Sequence, residues 1–171
     1  SLLGPKDLAI SLSTTSFTIV ASIQLFALFM LWSPSKIVFE LPFEFLIYIL
    51  PILYCLSWFL LIVATIDAGL EVQSGALGWI SVLARNKPKF PELPTTGLYK
   101  IIRHPIYASF FLAVLTVPTW TADQIVVSLI LGGYCIFAPI LKDRRLIERH
   151  GEKYLRYKNT TPYMLPSKII K

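Results

Sequence analysis

Residues 45–66 read FLIYILPILYCLSWFLLIVATI, and no charge interrupts them between Glu44 and Asp67. As a helix rising about 1.5 Å per residue, such a run crosses a hydrocarbon layer of roughly 30 Å. Three more charge-free runs share the chain: 8–32, 105–121 and 124–141. The last two are short for a span, and Pro118 interrupts the first of that pair. Composition agrees, with 55% of residues hydrophobic and 15% charged, more apolar than an ordinary soluble domain. A buried helix of a soluble protein can account for one such run but not for four in a chain this short. The chain reads as an all-α integral membrane protein, a single membrane domain over 1–171. About four transmembrane helices are expected, near 8–32, 45–66, 105–120 and 124–141. The first run is long and lacks a small-residue cleavage pattern, which speaks against a signal peptide.

Only Thr119-Trp120-Thr121-Ala122-Asp123 separates the last two runs, so they form a tight helical hairpin. Charge orients the spans. Of sixteen Lys and Arg, five lie in 85–103 and nine in 142–171. The 33–44 loop has Lys36 against Glu40 and Glu44, and the hairpin turn has only Asp123. The positive-inside tendency puts the 68–104 loop and the tail on the cytoplasmic side, with both termini cytoplasmic. The basic excess is then mainly topological and suits membrane lipids as partners. Nucleic acid is not expected, because the basic residues flank spans and no nucleic-acid motif is present.

Cys55 and Cys135 each sit inside an apolar run and read as small buried hydrophobes. Two Cys and two His so dispersed give no zinc spacing, so no metal is expected. In the loop after Asp67, residues 76–83 are apolar and suit a short helix in the membrane interface. Three prolines in 86–94 exclude regular helix there, and Gly97 offers a hinge before Tyr99.

Polar chemistry collects in two places. The first is Gly97-Leu98-Tyr99-Lys100-Ile101-Ile102-Arg103-His104-Pro105-Ile106-Tyr107. Pro105 suits the first turn of a helix, where its missing N–H costs little. Arg103 and His104 then stand at the helix start and Tyr107 inside its first turn. Ionisable groups at a membrane boundary are costly and mark candidate function. The second place is 142–157. There Leu146, Ile147, His150, Tyr154 and Tyr157 make one stripe of an amphipathic tail helix on the cytoplasmic side, which Gly151 weakens or breaks. The hairpin returns the chain to the side of residue 105, so Asp143 and Arg144 can face His104 and Tyr107. On residues alone, a phosphate anchor at Arg103, a belt aromatic at Tyr107 and a surface-lying tail helix are the plainer readings.

Tyr99-x-x-x-Arg103-His104-Pro105-x-Tyr107 resembles the Arg-His-Pro-x-Tyr motif of the isoprenylcysteine carboxyl methyltransferase superfamily. Leu146-x-x-x-His150-Gly151-x-x-Tyr154-x-x-Tyr157, then Thr161-Pro162-x-x-Leu165-Pro166, resembles its C-terminal signature. The resemblance covers about residues 85–166, with the cofactor-type region at 97–166. The short hairpin and short chain look most like the methanethiol S-methyltransferase-like bacterial branch. Three departures stand out: Lys142-Asp143 replaces a Glu-Glu pair, His150 an aromatic before the glycine, and Ala108 a glycine.

The resemblance implies a membrane methyltransferase that uses S-adenosylmethionine and a lipophilic acceptor: an apolar thiol, an isoprenoid-linked carboxylate or a lipid amine. It implies cofactor-binding roles for His104, Tyr107, Asp143, Tyr154 and Tyr157. It gives Arg103 and Arg144 catalytic roles, with Arg103 or Arg144 pairing the cofactor carboxylate and Arg144 or Arg145 favouring the thiolate. The alternative is a non-catalytic accessory subunit that keeps the fold and docks membrane-protein partners through its first two spans.

Overall fold

The structure, a computed structural model, describes residues 5–86 and 93–166, with the side chains of 5–11 and 14 left aside. In chain order its elements are α1 (Pro5–Leu31), β1 (Val38–Phe39), α2 (Leu46–Asp67), α3 (Leu70–Gln73), α4 (Ala76–Leu83), α5 (Leu98–Ile101), α6 (Pro105–Leu115), β2 (Trp120–Thr121), α7 (Ala122–His150) and α8 (Glu152–Thr160). The protein is mostly helical. The proline-rich stretch falls largely on 87–92, outside the described residues.

Two compact units divide these elements. In the first, α1 packs on α4. The Thr15 hydroxyl donates to the Gly75 carbonyl at 2.6 Å. Gly75 has φ +74°, and a Cβ there would meet Thr18 Oγ1 at 2.7 Å, so glycine is required by both conformation and space.

The second unit holds everything from residue 34 to Asp67 and from 93 onward. Here α2 packs on α6, and α6 on α7. Helix α2 is apolar on all sides, and its large side chains stay exposed, Ile52 at 69% and Phe59 at 62%. Such a surface suits lipid, not water. Its hydroxyls turn inward on the helix: Ser57 donates to Leu53 O and Thr65 to Leu61 O, both at 2.7 Å. Only α2 and α7, among the described residues, are long and apolar enough to cross a membrane by themselves. Residues 15–31 of α1, and α6, are shorter apolar helices. Cys135 is buried, but Cys55 is exposed on α2, because an all-apolar helix with a lipid-type surface needs no inside for it.

The hairpin differs from expectation in its lengths. Helix α6 ends at Leu115 instead of near 120, because Pro118 disfavours helix in the residue before it. Helix α7 runs through the boundary at 141 to His150, since Lys, Arg, Leu and Glu are all good helix formers. The tail stripe is thus split. Its first half is an extension of α7, and α8 begins only after Gly151, where φ 53° and ψ −129° stop the helix.

Polar groups lock the turn. Thr121 caps α7 by accepting from Gln124 N at 3.3 Å. Gln124 Nε2 and Ser128 Oγ donate to the Val114 carbonyl at 3.3 and 3.2 Å, satisfying an acceptor left over at the end of α6. A Cβ on Gly132 would lie 3.3 Å from the Phe111 ring, so glycine admits the close approach of α6 and α7. Unexpected in an all-α reading is a two-stranded pair, with Val38 opposite Thr121 and Phe39 opposite Trp120. These β-branched and aromatic residues favour extended pairing. The pair ties the 34–39 loop to the hairpin turn at one end of this unit.

Candidate active site

The opposite end carries the polar chemistry. Gly97, at φ 57°, turns the chain into α5, and a Cβ there would overlap the Asp67 carboxylate. That carboxylate accepts the Leu98 N–H at 2.8 Å. After α5 the backbone extends at Ile102, and Arg103 N donates to Pro162 O at 2.9 Å, which straps the tail across this stretch. His104 then precedes Pro105, the first residue of α6. Proline at that position wastes no donor, so His104 is held rigidly at the helix mouth.

Asp143 of α7 is the hub. Its Oδ2 accepts from Arg103 Nη1 at 2.9 Å, and its Oδ1 faces His104 Nε2 at 2.8 Å. The Tyr154 hydroxyl of α8 also donates to Oδ1. Lys158 Nζ stands 4.0 Å from Oδ2. Asp143 is 4% exposed and His104 2%. A carboxylate so buried is tolerable only because ionic and hydrogen-bonding partners surround it. Both oxygens are therefore committed to neighbours within the chain.

Aromatic rings enclose this hub. Tyr163 packs on His104 with centroids 5.1 Å apart, and the Arg103 guanidinium lies 5.6 Å from the same ring. Tyr107 meets His104 edge-to-face at 6.1 Å. Lys142 Nζ lies 5.6 Å from the Tyr107 ring centre. Tyr157 reaches the surroundings of the hub instead, donating to Tyr99 O at 2.5 Å.

These residues lie beyond the apolar part of α7, 124–141, or before α6, so their protonation follows the polar end of the fold. Burial lowers the His104 pKa below its ordinary 6.5, against the opposing hydrogen bond to Asp143. The ring is accordingly neutral near pH 7. With Nε2–H donated to the carboxylate, Nδ1 is left as an acceptor. Burial alone would raise the Asp143 carboxyl, but hydrogen bonds from His104 and Tyr154 and the Arg103 charge hold it below the carboxylate range. Burial raises the Tyr154 and Tyr99 phenols and pushes Tyr157 up to about 12, so all three remain donors. Burial lowers the Lys142 amine.

Arg103 Nε and His104 Nδ1 are buried and, among the described residues, have no partner. They are a donor and an acceptor on adjacent residues, which fits the carboxylate and ammonium of a zwitterionic amino-acid end. The faces of Tyr107 and Tyr163 beside them suit a cationic sulfur. On these grounds S-adenosylmethionine fits the residues present. An apolar groove of about 520 Å³ adjoins the cluster. Ala108, Phe111 and Leu112 of α6, Ile136 of α7, and Tyr163 and Met164 of the tail line it. Tyr163 belongs to both places, since its hydroxyl also donates to Ile136 O at 2.8 Å.

Of the residues singled out by sequence, Arg103, His104, Asp143 and Tyr154 are brought together, with Tyr107 and Tyr157 adjoining. Arg144 and Arg145 are exposed on α7, and Arg144 is turned about 100° around the helix from Asp143. Tyr163 and Lys158 were not foreseen. Tyr163 falls on an unspecified position of the C-terminal signature, between Pro162 and Leu165, and only its being aromatic there signals a packing role.

Fold and site together define a helical membrane protein with an acid-centred, aromatic-walled cluster where two motif blocks meet. Comparisons with known proteins agree. The chain is 30% identical to methanethiol S-methyltransferase of Pseudomonas deceptionensis over 89% of its own length and 58% of the relative's. It is 23% identical to the protein of the same name from Pseudomonas sp. (strain GM41(2012)), over 92% of this chain and 61% of that one. Methanethiol S-methyltransferase 1 of Bradyrhizobium diazoefficiens is 26% identical over 89% and 54%. The chain thus spans between 54% and 61% of the length of these relatives. No family model matches, and no solved structure matches. The chain is similar in sequence to methanethiol S-methyltransferases, in keeping with the superfamily resemblance of its two motif blocks.

Proposed function

We propose that this protein is a multi-pass membrane methyltransferase that moves a methyl group from S-adenosylmethionine to an apolar thiol. The observation that carries the reading is the meeting of the two motif blocks on Asp143, Arg103 and His104 from one and Tyr154 from the other. The relatives' name, methanethiol S-methyltransferase, supports a thiol acceptor. The apolar groove beside Tyr163 supports a lipophilic one, entering from the lipid or the cytoplasmic interface. Isoprenoid-linked and lipid acceptors suit the same groove.

When bound, S-adenosylmethionine supplies a methyl group activated on a cationic sulfur. The chain's part is positioning and electrostatics, which dominate an in-line displacement. Arg103 Nε would hold the cofactor carboxylate as a donor, and His104 Nδ1 would hold its amino group as an acceptor. Asp143 acts through these two, fixing the guanidinium and the imidazole tautomer rather than touching the cofactor itself. Tyr107 and Tyr163 offer ring faces to the cationic centre. Arg144, at the aqueous edge, favours thiolate as the acceptor arrives.

A second reading, a non-catalytic subunit of a membrane complex, draws on Lys142, which puts a cation where the superfamily resemblance implies an acid. Calorimetric titration of the purified protein with S-adenosylhomocysteine separates the two. The enzyme reading expects saturable binding that Arg103→Lys weakens, because an ammonium cannot reproduce the guanidinium geometry. Absence of binding to the wild type would overturn it in favour of the subunit.

A further inference from the structure

Past the apolar part of α7, the helix carries a second polar feature that shares only Lys142 with the surroundings of the Asp143 cluster. An open cleft of about 640 Å³ runs along Lys142, Arg145, Leu146, Glu148 and Arg149. Positions 142, 145, 146 and 149 recur at helical spacing and share one face. Three cations therefore meet one carboxylate. Among the described residues no ion pair joins Glu148 to any of them. Lys142 is drawn inward over the Tyr107 ring, while Arg145 and Arg149 are exposed. The cleft is thus a net-positive concavity with an apolar floor at Leu146 and unspent hydrogen-bond donors.

Depth along the helix identifies what it meets. The charge-free run ends at Leu141, and Lys142 follows at once. From Lys142 to Arg149 the helix advances roughly 10 Å. The headgroup layer on each side of a hydrocarbon core is roughly 5–8 Å deep. The cleft therefore spans the headgroup layer, where phosphate is the abundant anion. Guanidinium groups fork onto phosphate oxygens, and a partly desolvated ammonium adds a point charge.

We infer that the Lys142–Arg149 face of α7 is a binding site for the phosphate headgroup of an anionic phospholipid. It rests on α7 crossing the bilayer and not on methyl transfer. The anion neutralises a surface that α7 leaves positive, and its acyl chains continue along the apolar part of the same helix. An acid at 142 would oppose such a headgroup, whereas Lys142 attracts it.

The test uses the full chain in zwitterionic detergent. Thermal unfolding and native mass spectrometry are followed on adding phosphatidylglycerol, phosphatidylcholine or inorganic phosphate. Phosphatidylglycerol should raise the unfolding midpoint and stay bound, and the other two should not. R145Q/R149Q should bind phosphatidylglycerol roughly thirtyfold more weakly, as expected for two lost surface charges. K153Q/R156Q, which removes the same charge from α8, should bind like wild type. An equal response to inorganic phosphate would make this a soluble-anion site, and equal weakening in both variants would make it general surface charge. Either result overturns the proposal, as does equal binding of phosphatidylcholine by the wild type. S-adenosylhomocysteine affinity, measured on the same samples, reports separately on the enzyme reading.

Discussion

Replacing one Asp143 oxygen by an amide nitrogen would turn an acceptor into a donor facing Arg103, or facing His104 and Tyr154. At least one buried donor then loses its partner, and the Arg103 charge loses its counter-ion. Breaking one side of a buried ion pair typically costs about 3–5 kcal/mol. Asp143→Asn should therefore lower the unfolding free energy by about 3 kcal/mol, read by denaturant titration in micelles. Cofactor affinity should fall with it, because Arg103 and His104 are no longer fixed. If stability is unchanged while cofactor affinity drops, Asp143 is a direct ligand and its role as a hub is wrong. Aspartate also explains how one acid serves here: its short arm keeps both oxygens within reach of three donors, and burial keeps competing water away.

Between α7 and α8 one residue decides where Tyr154 and Tyr157 point. Gly151 adopts φ 53°, and a Cβ there would meet nothing within 4 Å. The penalty for any other residue is thus backbone strain alone, of the order of 1–3 kcal/mol. Gly151→Ala should lower the unfolding midpoint and loosen the Tyr154–Asp143 contact. Faster amide exchange in 152–160, with α6 and α2 unaffected, would show the damage confined to α8. Uniform protection across these helices would mean that α8 keeps its place without glycine. The break has a physical use. An uninterrupted helix through 142–157 would put Asp143 and Tyr154 eleven residues apart along its axis, about 16 Å, far beyond hydrogen-bonding distance.

In the second unit the chain runs between two ends. The 38–39 and 120–121 pair lies at one, and Asp67, Arg103, His104 and Asp143 lie at the other. With five Lys and Arg in 85–103 and nine in 142–171, the end with the cluster should be cytoplasmic. In a variant without Cys55 and Cys135, single cysteines at Val38 and Thr160 should label from opposite faces of the membrane. Labelling of both from one face would remove the four-span arrangement. The exposure of large apolar side chains around α2 and α7 is consistent with lipid as the neighbour.

The apolar runs determined where α2 and α7 would be, because a long charge-free stretch has one stable form in lipid, a helix with all its backbone bonds made internally. Local rules also sufficed for Pro105 at the start of α6, for α4 over 76–83 and for the stop at Gly151. Motif spacing brought forward Arg103, His104, Asp143 and Tyr154, since one helical hairpin must return the chain to its starting side. Tertiary structure alone decided how these groups are used. It committed both Asp143 oxygens to neighbours, turned Arg144 outward, and left Arg103 Nε and His104 Nδ1 without partners. It alone brought Tyr163 from the tail onto His104. Such outcomes depend on helix rotation and on contacts between residues 11 to 59 positions apart. Hydrophobic periodicity reports which face of a segment is apolar, but not which atom across the fold it will meet.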